Sequence, residues 1–192
     1  MRLGEHITIT IDDVRLTLRP SLRAAVLLER RHGLDRLPGM ILEGHATAAA
    51  DTIAACDEHR TPEEVLELLT RAGPLPRLAL IAPALVELCV GLLGFDPDAE
   101  TEASNDGPSR TIAEAQKHLF GIATGAIGWT PAEAWQATPL EILTAWRGRV
   151  ELLRAMFGGK DEEAPQERPG LDDDGFAAAI RARATVKAGK SA

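Results

Sequence analysis

Four segments of the chain carry the same start signal for an α-helix, a Thr followed three residues later by a Glu. They begin at Thr61, Thr111, Thr130 and Thr138. In this arrangement the Thr hydroxyl accepts a hydrogen bond from the backbone N–H of the Glu, and the Glu carboxylate accepts one from the backbone N–H of the Thr. Pro follows the Thr at three of the four starts, where its fixed φ suits the first helical turn. The spacing predicts a mainly α-helical chain.

A β-hairpin is predicted near the beginning of the chain. Residues 7–11 and 14–18 alternate apolar with polar side chains, and the two Asp residues between them suit a turn. A helix should follow, because apolar residues recur at helical spacing from Leu22 and Gly33 suits a C-cap. A two-stranded sheet is marginal alone. We therefore expect this helix, or edge pairing in a homo-oligomer, to cover the hairpin.

Three more helices are predicted in the first half of the chain. They correspond to the Ala-rich segment 45–57, the start at Thr61, and the apolar segment 78–95. Pro83 and Glu87 interrupt the apolar segment, which is shorter than the roughly 20 residues that span a bilayer. We expect a buried helix there and no membrane association.

The composition changes between residues 96 and 110, which are rich in Asp, Glu, Pro, Ser and Asn and contain almost no apolar side chain. We interpret 96–110 as a linker between a hairpin-plus-helix lobe at 1–95 and a helical lobe at 111–158. Residues 159–192 are first acidic and then basic, which predicts a disordered or partly helical tail. The expected fold is an N-terminal β-hairpin followed by a helical bundle, with a flexible charged C-terminal tail.

The lobe at 111–158 is predicted to contain three helices. The first runs from 111 to 127, the second starts at Thr130, and the third starts at Thr138 and ends before Gly158. The third helix carries one apolar stripe at helical spacing. Its members are Leu140, Leu143, Trp146, Val150, Leu153 and Phe157.

Charge and cysteine usage exclude several classes of protein. A net charge of -8 opposes binding to a phosphate backbone, where Lys and Arg contacts dominate, so nucleic acid is not an expected partner. Residues 1–6 lack the apolar stretch of a signal peptide, so we expect the protein in the cytoplasm. In that reducing compartment Cys56 and Cys89 are interpreted as small buried side chains rather than as a disulfide.

No complete catalytic or metal-binding constellation is recognisable. Cys56 and His59 lie three residues apart with His45 upstream, but structural zinc usually takes four ligands. No nucleophile-elbow motif is present, and the Gly121 to Gly125 pair lacks the Lys of a phosphate loop. We therefore expect a protein-binding protein without a cofactor. An enzyme whose site assembles only in space is the remaining alternative.

Three tryptophans, Trp129, Trp135 and Trp146, lie in one short region of a chain that has only 4% aromatic residues. They either form the core of their own lobe, or at least one anchors a partner, since Trp is enriched at binding hot spots. Trp129 directly precedes the Thr130 start and should pack back onto that turn. Trp135 and Trp146 are therefore the better candidates for an anchor.

A family resemblance lies in residues 128–141, which read Gly-Trp-Thr-Pro-Ala-Glu-Ala-Trp-Gln-Ala-Thr-Pro-Leu-Glu. This segment resembles one in the tail assembly chaperones of long-tailed phages and gene transfer agents, where Phe usually stands at the place of Ala134. The first third of the chain, with its hairpin and residues 18–23, resembles the small tail-module proteins encoded beside those chaperones in gene transfer agents.

The resemblance implies a chaperone that keeps the tape-measure protein soluble and recruits tail-tube subunits in the host cytoplasm, without catalysis. Such a partner exposes long apolar stripes that aggregate unless they are covered. A generic acidic helical adaptor or regulator is the alternative. In either case the hypothetical partner-binding residues are Trp129, Trp135, Leu140, Trp146 and Phe157.

Overall fold

The structure is a computed structural model of the chain. It describes residues 6–57, 59–71, 74–95 and 110–157, with the side chains of 74–77 excepted. The predicted linker, apart from Arg110, and the predicted tail at 159–192 lie outside the described residues. The described part is mainly helical and begins with a two-stranded antiparallel hairpin, as the sequence predicts.

The hairpin consists of strands β1, Ile7–Ile11, and β2, Val14–Leu18. Ile11 pairs with Val14 across a two-residue turn, in which Asp12 has a φ of 52°. Asp tolerates this left-handed conformation better than most residues. The alternating side chains of Ile7, Ile9, Ile11, Leu16 and Leu18 are buried. The predicted hairpin is therefore confirmed, including its buried face.

Eight α-helices follow among the described residues. They are α1 Leu22–His32, α2 Leu37–Leu42, α3 Ala46–Cys56, α4 Pro62–Thr70, α5 Pro74–Leu92, α6 Ile112–Gly121, α7 Pro131–Gln136 and α8 Pro139–Phe157. A π-helical segment, Ile122–Ile127, continues α6 up to Gly128. All four predicted Thr starts form the reciprocal pair of hydrogen bonds with Glu.

Three local features differ from the sequence-based expectation. Helix α2 was not predicted, because Pro38 and Gly39 make its six residues resemble a loop. Helix α5 begins at Pro74 rather than at Leu78; it continues past Pro83 as predicted, with the ring of Pro83 on the exposed side of the helix. The predicted helix over 111–127 has the expected extent, but its last turns are π-helical rather than α-helical.

The buried side chains form two clusters. The first cluster is built by the hairpin and helices α1 to α5, and α5 is the helix packed along β1, a position expected for α1. The second cluster is built by α6, the π-helical segment, α7 and α8. It also contains Leu22, the first residue of α1, and the side chain of Leu93 packs against both clusters.

Hydrogen bonds join the β2–α1 connection to the corner between α7 and α8. The backbone N–H of Leu22 donates to the Ala137 carbonyl at 2.8 Å, and Arg19 Nε donates to the Gln136 carbonyl at 3.0 Å. Arg19 Nη2 also donates to both carboxylate oxygens of Glu141, at 2.8 and 3.0 Å. Residues on the two sides of the predicted linker are therefore in direct contact.

Candidate functional site

Helix α8 begins with a strongly fixed first turn. The Thr138 N–H donates to a carboxylate oxygen of Glu141 at 2.8 Å, and the Glu141 N–H donates to the Thr138 hydroxyl at 3.1 Å. The same carboxylate binds Arg19 and lies at the positive end of the helix dipole. The Glu141 side chain thus caps α8 and also links it to Arg19, the residue that follows β2.

The N-terminal third of α8 is buried, and two of its side chains, Ile142 and Leu143, belong to the second cluster. Pro139, Leu140, Ile142 and Leu143 are all buried. Leu140 has only 4% of its surface exposed. A side chain this buried is unable to contact a partner unless α8 moves, so the structure places Leu140 in the core and removes it from the predicted binding residues.

The three tryptophans lie at the edge of the second cluster. Trp135 stacks on Phe120 with ring centroids 4.4 Å apart and an interplanar angle of 29°. The Trp129 N–H donates to the Ala123 carbonyl at 2.9 Å, which places this residue against the end of the π-helical segment. All three tryptophans, including Trp146, are half-buried and pack against the cluster. Each therefore contributes to the core and retains some accessible surface.

The C-terminal third of α8 is exposed throughout. All side chains from 151 to 157 are exposed, and four of them are large and apolar. Their exposed fractions are 50% for Leu152, 38% for Leu153, 64% for Met156 and 76% for Phe157. The predicted apolar stripe therefore has one buried end and one exposed end. We call the four residues 152, 153, 156 and 157 the α8 apolar face.

Two members of the α8 apolar face were not predicted from the sequence. Leu152 and Met156 lie beside the predicted stripe, and their spacing of four residues puts them next to each other on the helix surface. The signal that identifies them is the widening of the apolar surface from a stripe to a broader face in the last two turns. Leu153 and Phe157 belong to the predicted stripe, and of the five predicted partner-binding residues only Phe157 lies on this face.

The surroundings of the α8 apolar face are basic. Residues 147–157 contain three arginines and one glutamate, a local net charge of +2 in a chain of net charge -8. The side chains of Arg149 and Arg154 are exposed. A partner with acidic residues beside an apolar stripe would be complementary to this surface, and charge complementarity increases specificity and association rate.

Four described titratable groups have shifted pKa values. Burial and the nearby Arg110 lower the pKa of His118, and the hydroxyl and N–H of Thr130 lower the pKa of Glu133 as part of its helix cap. Burial raises the pKa of Cys56, and raises that of Cys89 to about 12. Both thiols are therefore protonated near neutral pH, and a protonated thiol is a poor nucleophile.

The described residues also contain no group of three His, Cys, Asp or Glu side chains arranged to hold a metal ion. None of the described helices is long and apolar enough to cross a membrane. We found no family model, curated protein or solved structure that matches the chain. The family resemblance of residues 128–141 therefore stays a prediction.

Proposed function

We propose that the chain is a tail assembly chaperone of a long-tailed phage or prophage, which binds the tape-measure protein through the α8 apolar face. In this role it keeps the partner soluble in the host cytoplasm and recruits tail-tube subunits without catalysing a reaction. The observation that carries the proposal is the group of four large apolar side chains exposed on the last two turns of α8. The α8 apolar face lies at the far end of the helix whose first turn belongs to the segment that resembles this family.

The shape of the α8 apolar face suits a helical partner. Side chains three and four residues apart form a ridge along the helix, and a ridge of this kind packs into the groove of another helix. Helix-in-groove recognition uses anchors at this spacing. A protein with repeated apolar stripes, as the family resemblance implies for the tape-measure protein, offers many equivalent grooves of this kind.

The base of α8 is fixed, which favours binding by a preorganised surface. The reciprocal cap at Thr138, the paired Arg19 and the buried N-terminal third hold the helix before its exposed end begins. A helix that is already formed loses less conformational freedom on binding than a segment that folds on its partner. The exposed end can therefore bind and release a partner repeatedly without refolding.

Co-expression with a candidate tape-measure protein tests the proposal. The wild-type chain is expected to co-purify with that protein and to raise the fraction of it that remains soluble. Phe157→Ala should weaken binding about thirtyfold, because loss of a buried aromatic anchor costs about 2 kcal/mol of binding free energy. Its folding should be unchanged, since 76% of the Phe157 side chain is exposed in the free chain.

A matched control separates this site from general surface hydrophobicity. Leu42 on α2 is an exposed leucine outside α8, with 67% of its surface accessible, and Leu152 is 50% accessible. Leu152→Ala should reduce binding and Leu42→Ala should leave it unchanged. If the wild-type chain neither co-purifies with the tape-measure protein nor raises its solubility, the chaperone proposal fails and the adaptor alternative replaces it.

For the tryptophan variants, folding and binding must be measured separately, because these side chains also pack against the second cluster. Trp135→Ala removes the stacking on Phe120 and should cost about 2 kcal/mol or more of unfolding free energy. Trp146→Ala tests the half-buried residue nearest the α8 apolar face. The circular dichroism spectrum and the urea midpoint of each variant show whether it still folds. A binding loss is assigned to a lost anchor only if both match those of a variant that still binds.

A further inference from the structure

The outer edge of β2 offers unpaired backbone groups. Ile11 and Val14 close a two-residue turn and therefore form a hydrogen-bonded pair, and in antiparallel strands such pairs alternate with pairs that are not hydrogen-bonded. The backbone N–H and C=O groups of Arg15 and Thr17 consequently point away from β1. Neither residue has a hydrogen-bond partner in the described part of the chain.

The next outward-pointing N–H in this alternation, just after the end of β2, already donates to the backbone of α3. The Arg19 N–H donates to the Cys56 carbonyl at 2.9 Å, at the start of the connection between α3 and α4. This connection then diverges from β2 and leaves a groove with a volume of about 490 Å³. Ligand-binding clefts commonly have volumes of ~300 to 1,000 Å³, so the groove has room for several residues of an extended peptide.

Among the described residues that line the groove, positive side chains outnumber negative ones. Arg15 and Arg19 line it on the β2 side, and Asp57 and Arg60 line it from the connection between α3 and α4. Arg60 Nε lies 3.6 Å from a carboxylate oxygen of Asp57, and Arg19 is paired with Glu141. Arg15 has no ion-pair partner among the described residues. The groove therefore keeps an unpaired positive charge beside the open backbone groups, in a chain whose net charge is -8.

We propose that this groove binds an extended acidic segment of a partner protein, which adds to β2 as a third strand. The backbone of the segment exchanges hydrogen bonds with Arg15 and Thr17, and its carboxylates lie against Arg15 and Arg60. Strand addition of this kind obtains affinity from main-chain hydrogen bonds and specificity from alternate side chains. The site is separate from the α8 apolar face and does not depend on the proposed chaperone function.

A second copy of the chain is a poorer occupant of the groove. Pairing of β2 with β2 of another copy would bring two Arg15 side chains onto the same face of one sheet, where like charges repel. An acidic segment reverses this interaction from repulsion to attraction. The charge of Arg15 thus favours an acidic partner, and it also disfavours pairing of this edge between two copies of the chain.

The test uses a fluorescein-labelled synthetic peptide in which Glu alternates with Val, titrated with the full-length chain and followed by fluorescence anisotropy. Saturable binding that weakens as salt is added is expected, because ion pairs at an exposed edge are screened. The same peptide with Lys in place of Glu should bind at least about tenfold more weakly. Equal binding of the two peptides would overturn the proposal, as would the absence of saturable binding.

Two N-methylated forms of the acidic peptide test strand addition on the wild-type chain. One form is methylated at the amides of the Glu residues and the other at the amides of the Val residues. In an added strand only one of these sets points towards β2, so one form should bind and the other should not. If both forms bind equally, the peptide is held by charge alone and strand addition is refuted.

Paired variants locate the site on the chain. Thr17→Pro removes the outward N–H on β2, and Thr8→Pro makes the same change at its cross-strand partner on β1. Only Thr17→Pro should weaken binding, by at least about tenfold, with both circular dichroism spectra checked. Equal effects of the two variants refute the site. A dimer of the wild-type chain that Thr17→Pro dissociates, with no peptide binding, would assign the edge to a second copy.

Charge reversal provides an independent comparison. Arg15→Glu should weaken binding of the acidic peptide at least about tenfold, because it places a carboxylate next to the carboxylates of the peptide, where like charges repel. Arg23→Glu changes the net charge equally at an exposed position in the first turn of α1, where an acidic residue favours the helix. Binding that falls to the same extent in both variants would reflect net charge only and would overturn the site.

Discussion

Substitution of Leu22 by Ala tests whether the β2–α1 corner belongs to the core of the second cluster. The Leu22 side chain has 0% of its surface exposed and lies among residues of α6, α7 and α8. The Leu22 N–H bond to the Ala137 carbonyl is retained in the variant, so the change isolates the side chain. Loss of a buried leucine typically costs ~2 to 5 kcal/mol of unfolding free energy.

The expected shift is large enough to measure by urea denaturation. With a dependence on urea of about 2 kcal/mol per molar, a loss of about 3 kcal/mol lowers the midpoint by about 1.5 M. Leu27→Ala is the matched control, because Leu27 lies on the same helix and has 50% of its surface exposed. Its midpoint should change by an amount equivalent to less than about 0.5 kcal/mol.

Two spectroscopic probes make the result specific. All three tryptophans of the chain pack against the second cluster, so tryptophan fluorescence reports on that cluster, whereas circular dichroism reports on every helix. Leu22→Ala should lower the midpoint seen by fluorescence. An unchanged fluorescence midpoint, or a shift no larger than that of Leu27→Ala, would refute the placement of Leu22 in the second cluster.

The remaining predictions concern glycine geometry and the buried thiols. Gly94 has a φ of 75°, and a Cβ there would lie 3.0 Å from the Pro139 Cβ, so Gly94→Ala should cost about 1 to 2 kcal/mol in urea denaturation. Gly39→Ala is the control, since a Cβ there meets no atom within 4 Å, and it should be neutral or stabilising by up to about 1 kcal/mol; equal losses would contradict the argument. Burial raises the pKa of Cys56, and that of Cys89 to about 12, whereas an unfolded thiol ionises near pH 8.5. The thiols therefore contribute stability below about pH 8.5 that is lost as pH rises above it, and the native chain should resist iodoacetamide; rapid labelling of both native cysteines would contradict this.

The sequence predicts those elements whose determinants are local. The hairpin follows from alternation over ten residues and a two-residue turn, and the helix starts follow from a Thr and a Glu three residues apart. These patterns need no knowledge of distant residues. Helix α2 lies outside this class, because Pro38 and Gly39 argue against a helix locally and tertiary packing of Leu37 and Ile41 in the first cluster overrides them.

The candidate site could be predicted only in part. Periodicity assigned Leu140 and Phe157 to one apolar stripe, but it does not distinguish a buried turn from an exposed one. Their exposures of 4% and 76% depend on where α6 and the π-helical segment contact α8. The hydrogen bond between Arg19 and Glu141 joins residues 122 positions apart, and no local sequence pattern predicts such a pair.

The exposed end of α8 persists as a helix because its nucleus is formed elsewhere. The first turn of a helix is costly to form, whereas each further residue adds a hydrogen bond for a small loss of freedom. In α8 the cap at Thr138 and the burial of Ile142 and Leu143 stabilise that first turn. The helix then extends past Trp146 without needing a core of its own. Apolar side chains from 152 to 157 can therefore remain exposed on an ordered element, which is the condition for a surface that binds a partner without prior folding.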